Sequence, residues 1–122
     1  MKYERQVNEH LARLDQSLAQ LRQLILKGKN KEAVHFMEEG PLKERFEELS
    51  SIIKLSYTNA LDRLDGSLRF LRDLIVKGQN REAIEYMKNG DLKERFSELQ
   101  NMIILSQTNN LGAAGTQNVG NI

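Results

Sequence analysis

The sequence predicts an all-α protein, a tandem duplication of a ~50-residue helix–short helix–helix unit whose hairpins pack like a four-helix bundle. Three observations predict it. The string Leu-Lys-Glu-Arg-Phe occurs twice, at residues 42–46 and 92–96. Aligned at that fifty-residue offset without a gap, residues 11–60 and 61–110 are identical at 29 of 50 positions. Chance does not produce such a match. Within each segment the apolar residues recur at helical spacing, and no alternating run bounded by turn residues signals a strand.

The first long helix rests on Val7, Leu11, Leu14, Leu18, Leu21 and Ile25, at intervals of 4-3-4-3-4; Leu61, Leu64, Leu68, Leu71 and Ile75 repeat it. That is the seam a helix shows to one partner helix. Leu24 and Leu74 widen it to the stripe of a bundle. Lys27-Gly28 and Lys77-Gly78 then stop the helix, with a cation in the last turn and glycine at the left-handed position. Asn30 and Asn80 serve as expected N-caps for short helices over Lys31–Glu39 and Arg81–Asn89, which Gly40 and Gly90 end. The next helix opens on Pro41 in one segment and on a capping box of Asp91 and Glu94 in the other.

Beyond Leu42 the apolar positions Phe46, Leu49, Ile53, Tyr57, Leu61 and Leu64 run on with no proline. They predict one continuous central helix over residues 42–77, about 54 Å long at the usual rise. The alternative is a break near Tyr57–Asn59, with Thr58 and Asn59 as caps, which folds the chain into a monomeric four-helix bundle. A continuous helix points the two hairpins apart and leaves each with an uncovered apolar stripe. Homodimerisation through four-helix packing is therefore expected. Residues 1–110 are read as a single domain of two repeats, approximately 1–57 and 58–110. Residues 111–122, LGAAGTQNVGNI, lack periodic apolar positions and are read as a flexible tail.

Composition excludes several classes of function. The chain of 122 residues has no cysteine, so disulfide scaffolds, zinc–thiolate sites and thiol catalysis are out. Its longest apolar runs fall far short of the roughly 20 residues a membrane span requires, and MKYERQVNEH carries no apolar signal region. A cytoplasmic protein is the expectation. Net charge is +1, and residues 11–60 balance eight Lys/Arg against seven Asp/Glu. A protein that lives on nucleic acid concentrates positive charge, because phosphate neutralisation supplies most of its affinity. This composition carries no such concentration, which ranks a nucleic-acid partner second.

The candidate chemistry is thin. Glu32-Ala33-Val34-His35 has the Glu-x-x-His spacing of carboxylate-bridged metal bundles, but its counterpart Glu82-Ala83-Ile84-Glu85 lacks the histidine. His10 and His35 have no serine beside them in sequence, although Ser17, Ser67, Ser56 and Ser106 recur at matching positions. Lys27, Lys29, Lys31, Lys77 and Arg81 at the elbows are possible phosphate contacts, with acidic residues following directly. In the repeated string, Leu42/Phe46 and Leu92/Phe96 face a core, whereas Lys43, Glu44, Arg45, Lys93, Glu94 and Arg95 point outward as a possible interaction surface. The reading is a non-enzymatic helical protein–protein interaction module, an adaptor, scaffold or regulatory subunit that needs no cofactor. A nucleic-acid-associated regulator is the alternative, and a metal-binding helical bundle the remote one.

Overall fold

The computed structural model describes the backbone of residues 2–115 and the side chains of residues 5–105. In chain order come α1 (Lys2–Leu26), α2 (Asn30–Glu38), α3 (Pro41–Ile52), a 3-10 turn (Leu55–Tyr57), α4 (Thr58–Val76), α5 (Asn80–Asn89) and α6 (Asp91–Gly115). No strand occurs among the described residues.

Glycine chemistry sets the elbow boundaries as the sequence predicts. Gly28 and Gly78 hold φ at 74° and 75°, where any other side chain would crowd the following carbonyl. Gly28 N–H donates to the Ile25 carbonyl at 3.0 Å and Lys29 N–H to the Leu24 carbonyl at 2.9 Å; Gly78 and Gln79 do the same to Ile75 and Leu74. These paired bonds satisfy helix-end carbonyls that would otherwise lack donors. Pro41 stands at the first turn of α3, as expected. The start of α6 differs from expectation. Asp91 is already the first helical residue, one position inside the boundary a capping box requires, and Gly90 precedes it as Gly40 precedes Pro41.

The expected continuous helix over residues 42–77 is two helices. α3 stops at Ile52; Ile53 (ψ 157°) and Lys54 (ψ 155°) are extended, and α4 begins after the 3-10 turn. The chain breaks earlier than the alternative boundary at Tyr57–Asn59. Thr58 and Asn59 do not cap, because Tyr57 holds the N-cap position without a side-chain bond. The physical reason is a balance of magnitudes. Breaking the helix forgoes a few backbone hydrogen bonds, each worth about 1 kcal/mol net. Folding back seats Tyr57, Ala60, Leu61 and Leu64 in the core, at 7%, 0%, 7% and 0% exposure. Each large apolar side chain so buried contributes about 1.5–3 kcal/mol, so burial wins.

α1 packs on α3 and α4 packs on α6, giving two antiparallel hairpins. The hairpins then cover each other: α2 lies on α4, and α5 lies on α1. Leu14, Leu21, Leu49, Leu64, Leu71 and Leu99, contributed by all four long helices, are fully buried in one cluster. The stripe from which a homodimer was expected is thus covered within the chain. α6 runs to Gly115 and takes in the first residues of the segment expected as a tail, while residues 116–122 lie outside the described residues. No helix among the described residues is long and apolar enough to cross a membrane.

Candidate interaction surface

Asn30 and Asn80 were expected as N-caps, yet each is the first residue of its short helix. The cap positions belong to Lys29 and Gln79, and neither makes a side-chain cap bond. The two asparagine amides instead meet head to head. Asn30 Nδ2 donates to Asn80 Oδ1, and Asn80 Nδ2 to Asn30 Oδ1, both at 2.8 Å. The second N–H of each amide reaches a helix end of the other hairpin: Asn30 to the Ile75 carbonyl at 2.8 Å, Asn80 to the Ile25 carbonyl at 2.9 Å. An asparagine amide has two donors, and here both are used on each side. This reciprocal lock ties the end of α1 to the start of α5 and the end of α4 to the start of α2.

One consequence is chemical. The two elbows, fifty residues apart in sequence, become one end of the molecule. Lys27, Lys29, Lys31, Lys77 and Arg81 are all exposed there, and Leu26 and Val76 stand among them at 59% and 65% exposure. None of these five cations makes an ion pair among the described residues. The flanks of the bundle differ: Arg72 meets Glu38 at 2.8 Å, Arg69 meets Asp65 at 3.0 Å and Arg63 meets Glu98 at 3.1 Å. Glu32 and Glu82 sit in the first turns of α2 and α5, where the helix dipole favours a carboxylate, and leave the cations in excess. Beside this end, Leu26, Gly28, Arg81, Ile84, Glu85 and Lys88 line a shallow groove between the end of α1 and α5.

The repeated Lys-Glu-Arg triplets do not converge into one surface. Lys43 lies on the rim of a groove between α3 and α4 floored by Leu42, Phe46 and Leu68. Lys93 lies on the matching groove between α1 and α6, over Leu18, Leu92 and Phe96. Glu44 and Glu94 are exposed on the same helices. Several of these charges are engaged within their own helix: Lys43 with Glu47 at 3.7 Å, Arg45 with Glu48 at 3.3 Å and Arg95 with Glu98 at 3.9 Å. Leu42, Leu92 and Phe96 are buried and Phe46 half-buried, as the spacing predicts. The two grooves are not electrically alike. Glu38 neutralises Arg72 in the first, whereas Lys88 stands at the position equivalent to Glu38, and Arg22 and Lys93 make no ion pair among the described residues.

The chemistry-bearing residues stay apart. Glu32 and His35 are exposed on α2, and no group of three His, Asp or Glu close enough to hold a metal occurs among the described residues. His10 on α1 places Nδ1 3.5 Å from Glu48 Oε1 on α3, too long for a hydrogen bond, and Nδ1 is buried without another partner. Ser17 and Ser67 are buried, Ser56 is exposed, and the side chain of Ser106 lies outside the described residues. Sequence reasoning missed the asparagine lock and the merging of the elbows. The available signal was the asparagine two residues beyond each stop glycine in both segments. Comparison with protein-family models, with curated proteins and with solved structures finds no match to this chain.

Proposed function

We propose that this chain, built from a duplicated hairpin, is a non-enzymatic helical interaction module whose partner, a protein, docks on the elbow end. One observation carries the reading: five exposed cations without ion partners among the described residues surround two exposed aliphatic side chains on a face held together by the Asn30–Asn80 lock. A protein surface combines the apolar contact and the carboxylates such a face would take, with anchoring from Leu26 and Val76 and orientation from the charges. The test compares wild type with Leu26→Asp/Val76→Asp and with Lys43→Ala/Lys93→Ala. A partner that co-purifies with wild type is lost with the first variant and kept with the second. Loss with the second variant alone moves the site to the repeated triplets.

The same five cations support a second reading, a regulator that contacts nucleic-acid phosphates with Lys27, Lys29, Lys31, Lys77 and Arg81. It predicts binding that weakens steeply with salt, and a salt slope that shrinks by about one unit for each phosphate-contacting cation neutralised. The neutral variant Leu26→Ser/Val76→Ser separates the readings further: it removes the apolar anchors of a protein partner while leaving the charge that phosphate contact depends on.

A further inference from the structure

The heptapeptides Ile-Lys-Leu-Ser-Tyr-Thr-Asn (53–59) and Ile-Ile-Leu-Ser-Gln-Thr-Asn (103–109) agree at five of seven positions. The first is the break between α3 and α4; the second is uninterrupted helix within α6. Neither contains glycine or proline, so the local sequence accepts both conformations. The bent form is selected by what it allows, the packing of one hairpin on the other. That packing is equally available between two chains.

We propose that α3 and α4 straighten into one helix in a second state, and that two chains opened in this way exchange hairpins to form a domain-swapped dimer. The occupant of each opened surface is a second copy of this chain, because only a second copy presents the same lock and ion pair. Asn30 meets Asn80 and Glu38 meets Arg72 across the two hairpins, and both pairs re-form between chains unchanged. Tyr57 is the one buried side chain of the hinge turn, and the rest of the turn gives up little. Leu55 is 91% exposed in the bent form, so straightening removes no burial there. Ile53 is half-buried in the bend, while its counterpart Ile103 in the helical form is 2% exposed. Exchange of identical elements is a low-cost route to a dimer, and its yield rises with concentration.

Two hinge variants test this. Lys54 has φ −72° and follows an extended residue, the geometry proline adopts in the bent form and cannot adopt inside a straight helix. Deleting Lys54–Tyr57 removes the turn but brings Leu61 four residues after Ile53, preserving the four-residue seam spacing from Leu49. Each protein is refolded at millimolar concentration, diluted, and sized by light scattering over hours. Wild type yields a species of twice the 14.0 kDa chain mass that persists on dilution, because separation requires the hairpins to come apart. Lys54→Pro lowers its fraction by at least about a hundredfold, as a proline in a helix interior demands. The deletion variant is dimeric throughout. A wild type that stays monomeric, a dimer that survives Lys54→Pro, or a monomeric deletion variant overturns the proposal.

Discussion

Three glycines show how one atom decides in opposite directions. A Cβ at Gly90 would stand 2.9 Å from the Tyr86 Cα and 3.0 Å from its carbonyl oxygen, backbone that cannot step aside. Gly90→Ala is therefore expected to destabilise by about 1–3 kcal/mol, the usual cost of overpacking, and Gly40→Ala to behave alike against Phe36. Gly66, inside α4, meets nothing within 4 Å. Gly66→Ala is expected to stabilise by about 0.5–1 kcal/mol through helix propensity alone. Urea titration of the variants gives the signs directly, and equal signs at Gly66 and Gly90 contradict the geometry. The asparagine lock makes a second prediction. Asn30→Ala or Asn80→Ala strands the amide left behind at about 1–3 kcal/mol, at the lower end because the site is half-exposed. The double variant costs less than the sum by at least about 0.5 kcal/mol, since one lock is broken only once. Strict additivity in the double-mutant cycle would show that the two amides act independently.

At the scale of elements, the stops of α1 and α4 depend on left-handed glycine. Gly28→Ala and Gly78→Ala are each expected to cost about 1–2 kcal/mol, from the steric penalty of that conformation, although both sites have open space around the Cα. Thermal melts of the two variants should shift downward by similar amounts, because the turns carry the same pair of bonds. These boundaries were legible in the sequence, since the residue type dictates the backbone angle. The roles of Asn30 and Asn80 were not. An asparagine after a glycine reads as a cap from local context, and only the approach of the second elbow offers its amide a better set of partners. The starts of α4 and α6 fall in the same class, because capping residues near a boundary do not act when packing places that boundary a residue away.

For the molecule as a whole, the buried residues of both hairpins form one cluster, so neither half has a core of its own. Leu14→Ala and Leu64→Ala, equivalent positions at 0% exposure, are each expected to cost about 2–5 kcal/mol. Both should lower a single unfolding transition followed by circular dichroism, with the denaturant slope unchanged. Two separable transitions would mean that the hairpins fold as independent units. The candidate surface belongs to this scale as well. Each elbow alone carries two or three cations followed by a glutamate, an unremarkable local composition. The excess appears only once the lock sets the two elbows side by side.

By itself the sequence determined the all-α class, the apolar seams and the glycine stops, because periodicity and backbone sterics act over a few residues. It did not determine where the chain turns back. Ile53–Asn59 and Ile103–Asn109 are nearly the same peptide, bent in one place and helical in the other. Local energies there are nearly balanced, and the apolar area buried when the second hairpin closes on the first tips the choice. The same closure aligned Asn30 with Asn80 and gathered the cations of both elbows at one end.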